Sequence, residues 1–180
     1  MFARPAKIHA RPLLAAHLVL ALFLLGACMA QAAPQARQAG AVDLVRVYKA
    51  ERKLQLVSGG QVVREFKIAL GGDPKGPKRQ EGDGKTPEGA YTLDYKNAAT
   101  GYHRAIHISY PNSADRAAAR ARGVQPGGAI MIHGQKNGYG WLSFASQHMD
   151  WTKGCIALSD ADMDLVWSLV PAGTRIEIHP

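Results

Sequence analysis

Residues 53–70 read KLQLVSGGQVVREFKIAL, and they indicate the class of fold. Within 53–57 apolar leucines alternate with polar residues, and apolar residues return between 61 and 70. The two runs are separated by Ser58-Gly59-Gly60, and a glycine pair fits a tight turn between antiparallel strands. The stretch therefore predicts a β-hairpin.

Short strand signals also occur on both sides of this hairpin, at residues 42–48, 90–95, 104–110, 129–132 and 174–178. A polar loop rich in Gly and Pro, residues 71–89, follows the hairpin. Two short helices are expected, an Ala-rich one at 114–122 and a second from a cap at Ser159 to about residue 170. This pattern predicts a single, mainly β domain with short helices, arranged as a sandwich or a barrel.

The composition is that of a globular protein, because 47% of the 180 residues are hydrophobic and 20% are charged. Two cysteines are too few for a disulfide-rich scaffold or a multi-Cys zinc site. A formal net charge of +8 suggests an anionic partner such as nucleic acid. Arg4, Lys7 and Arg11 fall in a segment that we expect to be removed, which leaves about +5. We therefore predict no nucleic-acid partner.

Residues 1–33 have the order of a secretory signal peptide: a basic start, a short apolar centre and an exit of small residues. Two exits fit this layout equally well. Ala30-Gln31-Ala32 matches an ordinary cleavage site, whereas Leu25-Gly26-Ala27-Cys28 resembles a bacterial lipobox in which Cys28 would be lipidated. Both predict an exported protein, either soluble or attached to a membrane through Cys28, with a linker at 34–42 and a domain at 43–180.

After processing, Cys155 is the remaining thiol available for chemistry, and an unpaired Cys in an exported protein suggests a reactive group. A second segment, Ile130 to Gly134, delivers His133 at the end of a predicted strand. A thiol becomes a strong nucleophile as thiolate, and an imidazole can take its proton. Gly154 precedes the Cys, which would allow substrate to approach the backbone closely.

Two other sites are not supported by the sequence. Gly84-Lys85-Thr86 resembles the end of a phosphate-binding loop, but Arg79 stands where that motif requires Gly. Lys75, Lys78 and Arg79 of the same loop are expected to be solvated charges, although they could receive carboxylates. The histidines show no metal-binding spacing, so we predict neither a metal nor another cofactor.

Three ordered blocks resemble the YkuD-type L,D-transpeptidase catalytic domain of bacteria: Gly82 to Gly89, His133-Gly134, and Thr152 to Ile156. The resemblance runs from about Asp43 to Pro180. The stretches at 107–112 and 150–152 are similar to a subgroup that includes murein amidase-like members. The resemblance implies a β-sandwich-like domain with the Cys in a cleft under a mobile lid.

The resemblance also implies a reaction. Cys155 would attack the carbonyl at the L-centre of diaminopimelate in a peptidoglycan stem peptide and form a thioester. His133 would act as base and then acid, oriented by the Gly134 carbonyl. The N–H groups of Gly154 and Cys155 would hold the oxyanion. Substrate contacts are expected from His107, Tyr110, Trp151, Thr152 and Lys153.

The outcome of that reaction stays open in the sequence. An amine acceptor gives an L,D-transpeptidase of the periplasm, while water gives an L,D-carboxypeptidase or an amidase that frees a wall-attached lipoprotein. Ala157 stands where many members of the family carry Arg or Asn, and Thr152 where many carry Ser. The change at Ala157 leaves the choice of acceptor and the hold on the substrate in question.

Overall fold

The computed structural model describes residues 41–180, so the predicted signal peptide and most of the predicted linker lie outside the described part. Eight strands and three helices follow in chain order. The strands are β1 (Leu44–Tyr48), β2 (Lys53–Ser58), β3 (Gln61–Lys67), β4 (Gly89–Asn97), β5 (Ala105–Ile108), β6 (Met131–His133), β7 (Ile156–Ala157) and β8 (Thr174–His179). The helices are α1 (Ser113–Ala121), α2 (Ser143–Ser146) and α3 (Asp160–Leu169), with a 3₁₀ turn at Gly140–Leu142 directly before α2.

All eight strands belong to one sheet in the order β3-β2-β1-β8-β4-β5-β6-β7. The β1–β8 and β6–β7 pairs are parallel, and the other neighbours are antiparallel. The sheet curls until its two edges meet. Ala69, just beyond β3, exchanges backbone hydrogen bonds of 2.9 and 2.8 Å with Ala157 of β7. The predicted mainly β fold is confirmed, and its strands form this single curled sheet.

The core lies inside the curl, where the alternating apolar residues of the strands point. Val45 and Val47 of β1 are fully buried, as are Leu54 and Leu56 of the neighbouring β2. Met163 and Val166 on α3 join the same cluster. Burying each such side chain contributes about 1.5–3 kcal/mol of transfer free energy, which makes the alternating apolar positions a main stabilising contribution to the fold.

Several predicted elements needed correction at their ends. Strand β3 stops at Lys67 and not at residue 70, because the chain leaves β2 there and turns to pair with β7. Strand β7 and helix α2 were not predicted, since two and four residues are too few to show a period. Among residues 41–180 no helix is long and apolar enough to cross a membrane.

Candidate active site

The two residues that carry the predicted chemistry come together through the parallel pairing of β6 and β7. Ile132 lies opposite Ile156, and His133 lies opposite Ala157. Successive residues of a strand point to opposite faces. Cys155, one residue before Ile156, therefore shares a face with His133, and both point away from the face of the two buried isoleucines. The chain thus places a thiol and an imidazole on neighbouring strands, one diagonal step apart.

The imidazole of His133 is held in one tautomer. Its Nδ1 donates a hydrogen bond of 2.6 Å to the Gly134 carbonyl oxygen, which leaves Nε2 as the unprotonated nitrogen of the neutral ring. The ring is 3% exposed and packs between two aromatic rings, with centroids 4.2 Å away for Tyr102 and 5.8 Å away for Trp151. Burial lowers the pKa of His133, and the Gly134 hydrogen bond opposes this only in part. His133 is therefore a neutral base at pH 7.

Cys155 is a free thiol, half-buried at the start of β7. Burial raises its pKa, while a backbone hydrogen bond from Met131 and the charge of Lys78 act in the opposite direction. In the described chain the Sγ atom donates to the Ala129 carbonyl at 3.7 Å and makes no hydrogen bond to the imidazole. Transfer of the thiol proton to His133 thus needs a turn of the Cys155 side chain or a bridging water, as is common in unliganded sites.

The turn that carries Cys155 is tied together by the hydroxyl of Thr152. This hydroxyl donates to the Cys155 carbonyl at 2.8 Å and accepts the Gly154 N–H at 3.1 Å. The Gly154 N–H is therefore already engaged, which corrects its predicted role in holding the oxyanion. The Cys155 N–H has no acceptor within residues 41–180 and is the remaining donor of that pair. Thr152 is buried and organises the turn.

Gly154 has a different function from the one expected. Its φ is +123°, a region that side chains rarely adopt, and a Cβ there would lie 2.5 Å from the carbonyl oxygen of Lys85. The close approach that requires glycine is thus made by the 82–89 loop of the protein and not by a substrate. This contact joins two of the motifs noted in the sequence and fixes the position of Cys155 against the loop.

A cavity of about 580 Å³ is lined by Thr152 and Lys153 of the turn that leads into Cys155, although Cys155 itself does not line it. One side is formed by Gly128 and Ile130, which precede β6, and the other by Gly84 of the loop together with Thr152 and Lys153. Its floor includes Lys78, which is 7% exposed, so the expectation of a solvated charge at this position was wrong. The cavity is large enough for several atoms of a peptide chain.

Asp83 holds the loop that closes this cavity. Its carboxylate accepts the backbone N–H groups of Arg79, Gln80 and Lys85 at 2.7, 3.0 and 3.1 Å, and the Lys78 ammonium at 2.8 Å. Burial acts to raise the pKa of Asp83, but these four donors outweigh it and lower the pKa to about 2. Asp83 is therefore ionised at every pH at which the protein would work.

The other predicted substrate residues fall in three different places. Lys153 is exposed and lines the cavity. Trp151 packs against His133, so it supports the base. Tyr110 is buried, and its hydroxyl donates to the Pro126 carbonyl at 2.9 Å, which gives it a packing role.

His107 lies on β5 opposite Met131 and therefore on the same face as Cys155, two strand spacings or roughly 10 Å away. Its Nδ1 is 2.7 Å from an Asp94 carboxylate oxygen, and its ring stacks on Tyr95 at 4.6 Å between centroids. It can meet a long substrate but not the thiol. Ala157 is fully buried between His133 and Ala69, and its side chain does not line the cavity.

Three residues of the site were missed at the level of sequence. Tyr102 packs against the His133 ring, the Ala129 carbonyl accepts a hydrogen bond from the Cys155 thiol, and Asp83 organises the loop. Only Asp83 had a sequence signal, a short polar residue between two glycines, which is typical of side chains that bind nearby backbone N–H groups. Within residues 41–180 no group of three His, Cys, Asp or Glu side chains is placed to hold a metal ion.

Comparison with known proteins identifies the family. The model of the YkuD family, described as the L,D-transpeptidase catalytic domain, matches residues 43–178. The "Putative L,D-transpeptidase YafK" of Escherichia coli K12 is 33% identical over 117 residues, which cover 62% of this chain and 46% of that protein. The chain thus spans about half the length of the curated relatives it matches.

Solved structures agree with this match. The helical cell shape determining protein Pgp2 of Campylobacter jejuni superposes with a TM-score of 0.58 at 28% identity, covering 76% of this chain and 47% of that one. An L,D-transpeptidase from Mycobacterium smegmatis gives 0.53 at 17% identity, covering 78% and 60%, and shows the likeness of fold alone.

Proposed function

The chain belongs to the YkuD family of L,D-transpeptidase catalytic domains, and from this membership we propose that it is a periplasmic enzyme that uses Cys155 to cleave and re-form amide bonds of peptidoglycan stem peptides. The observation that carries the proposal is the pairing of β6 with β7. It puts Cys155 and His133 on one face, with the imidazole tautomer set by Gly134, and the turn before Cys155 lines a cavity.

In the first half of the reaction, His133 Nε2 takes the proton of the thiol, and Sγ attacks the carbonyl at the L-centre of diaminopimelate. The oxygen of the tetrahedral intermediate carries a negative charge and accepts a hydrogen bond from the Cys155 N–H. The negative charge makes this hydrogen bond stronger than one to the carbonyl of the substrate. The imidazolium then gives its proton to the leaving nitrogen. The C–N bond breaks, D-alanine departs, and the acyl group stays on Sγ as a thioester.

The raised pKa of Cys155 supports this order of steps. Because burial raises the pKa of the thiol and lowers that of His133, the resting pair is thiol and imidazole, and the proposed attack requires transfer of the thiol proton to the imidazole. The pKa of His133 lies below its ordinary value of 6.5, so the ring is neutral at pH 7 and can accept a proton.

In the second half, an amine attacks the thioester, and His133 takes its proton and returns it to Sγ. A stem-peptide amine gives a wall cross-link, and an amine of a lipoprotein gives a wall-attached protein. We place the protein with the transpeptidases on the strength of its family, with water as the alternative acceptor. When water attacks the thioester in place of the amine, the product is a shortened stem peptide. If the group that left in the first half was a wall-attached lipoprotein, the same hydrolysis completes its release.

The place of action follows from the first 33 residues, whose order we interpret as an export signal. The periplasm holds the peptidoglycan substrate, so export and chemistry agree. Lipidation of Cys28 would hold the enzyme on the outer membrane, and ordinary cleavage after Ala32 would release it. The mass of the mature N-terminus distinguishes the two, because a diacylglyceryl group on Cys28 is found only in the first case.

The proposal is tested on isolated muropeptides with products identified by mass spectrometry. Cys155→Ala and His133→Asn are expected to abolish turnover, and the wild type is expected to show an adduct on Cys155 with the mass of the acyl group. His148→Asn, an exposed imidazole outside the site, is the control and should keep full activity. Cross-linked dimers identify transfer, while shortened stems alone identify hydrolysis. Turnover by Cys155→Ala would refute the mechanism.

A further inference from the structure

The proposed mechanism makes no use of Lys78, a buried lysine that lines the cavity. The side chain of Lys78 is 3% exposed. Lysine is almost never buried to this extent without a partner. The structure gives its ammonium two partners, the Gln80 carbonyl at 3.0 Å and the Asp83 carboxylate at 2.8 Å.

An ammonium group has three protons, so one N–H of Lys78 remains without an acceptor in the described chain. A buried donor without a partner costs free energy, and this cost falls when a ligand supplies the acceptor. Five of the ten residues that line the cavity are glycines, which leaves room for a bound molecule next to Lys78. The other charged residues of the lining, Glu81 and Lys153, are exposed.

Asp83 offsets the charge of Lys78, but it leaves the third N–H of the ammonium without an acceptor in the described chain. Its charge is shared among three backbone N–H groups as well as the ammonium. The positive charge of Lys78 acts to lower the pKa of the Cys155 thiol, although burial outweighs it and raises the pKa. A carboxylate in the cavity would therefore meet the open N–H donor of Lys78, with Lys153 and Glu81 as the other charged side chains of the lining.

We propose that Lys78 binds a carboxylate of the stem peptide and thereby fixes which bond lies over Cys155. The inference rests on the proposed function, because it takes the stem peptide as the ligand. A charge-assisted hydrogen bond of this kind, formed away from bulk water, selects a chain that carries a carboxylate at one fixed distance from the scissile carbonyl. Lys78 is thus a specificity-determining residue.

Two carboxylates belong to the two residues that the scissile bond joins, and either can fill this position. One is the terminal carboxylate of the D-alanine that leaves, and the other is the free carboxylate at the D-centre of diaminopimelate. The two present the same chemistry to the ammonium, and substrates in which one or the other is amidated separate them.

The test measures binding, so it does not depend on turnover. The full chain carrying Cys155→Ala is titrated calorimetrically with three tetrapeptide stems: the free acid, the C-terminal amide, and the form amidated at diaminopimelate. The same three are titrated after adding Lys78→Met, which keeps the length of the side chain but removes its charge. Lys75→Met, an exposed lysine of the same loop, is the matched control.

We expect Lys78→Met to weaken binding of the free acid about 10- to 100-fold, the range for a charged hydrogen bond. For the amidated peptide that lacks the carboxylate bound by Lys78, the same substitution should weaken binding by less than about threefold. Lys75→Met should leave the affinity for all three peptides unchanged. Equal losses on all three peptides, or no loss at all, would overturn the proposal.

A second variant guards against misfolding. In Lys78→Met the Asp83 carboxylate loses its ammonium partner, and this loss can unfold the loop. The double variant Lys78→Met with Asp83→Asn removes both charges. Once a thermal melt shows that it is folded, we expect the same pattern of binding across the three peptides. Failure of the proposed function has a different signature, since the wild type would then bind stems but form no thioester on Cys155.

Discussion

Replacing Gly154 with Ala tests how the position of the nucleophile is fixed. The backbone of Gly154 has φ +123°, and the added Cβ would lie 2.5 Å from the carbonyl oxygen of Lys85. That oxygen belongs to backbone, which moves only with the whole loop. The Ile130 side chain is a further 3.3 Å contact. The variant therefore has both a strained dihedral and a backbone overlap.

The magnitude is obtained from the two contributions. A side chain in a glycine region of φ costs about 1–3 kcal/mol, and forcing an extra methyl into a packed site costs about 1–3 kcal/mol more. We expect the free energy of unfolding to fall by about 4 kcal/mol. Relief of the overlap requires the turn to move by almost an ångström, and a shift of that size can lower kcat/KM by about 100-fold.

Gly60→Ala is the matched control, because Gly60 also has a positive φ, +79°, but a Cβ there meets nothing within 4 Å. It should lose only about 1–2 kcal/mol, the cost of the left-handed backbone alone. Urea unfolding followed by tryptophan fluorescence gives both free energies, and turnover of muropeptides gives kcat/KM. A loss in Gly154→Ala no larger than in Gly60→Ala would refute the contact with Lys85.

Two further predictions concern the thiol turn and the base. Thr152→Val removes the hydroxyl that bonds the Gly154 N–H and the Cys155 carbonyl, so unfolding should become easier by about 3 kcal/mol. Thr152→Ser keeps the hydroxyl and should recover most of that loss; equal losses in urea unfolding would contradict the role of the hydroxyl. The second prediction is a pH profile. Burial lowers the pKa of His133, and only the neutral ring accepts the thiol proton. Activity should therefore fall on acidification with a midpoint below 6.5, and an acid limb centred above 7 in kcat/KM would speak against His133 as the base.

Much of the fold could be predicted because strands have a local signature. The alternation in 53–57 and the glycine pair after it gave the β2–β3 hairpin, with ends wrong by at most three residues at Lys67. Helix α3 was found from its cap, where Ser159 accepts the Asp162 N–H at 3.1 Å. Strand β7 could not be found, because its two residues form a strand only through pairing with β6 and Ala69.

The site shows the same division. His133 and Cys155 stood out because few residue types can serve as base and nucleophile, and each sits beside glycine in the sequence. The structural roles of Gly154 and Thr152 could not be inferred from the sequence. Gly154 packs against the Lys85 carbonyl, and the Thr152 hydroxyl forms hydrogen bonds within the turn. A local pattern carries no information on which distant backbone atom will lie against a given Cα.

The sequence by itself determined the mainly β class and the two residues of the candidate chemistry, because side-chain alternation and residue type are local properties. Only the tertiary structure decided that His133 and Cys155 share a face, since this depends on the register of two strands 22 residues apart in the chain. It also decided that Lys78 is buried at the cavity and not solvated. Burial is set by what the rest of the chain packs around a residue, and a charged residue in a polar loop looks the same in sequence whether it is covered or exposed.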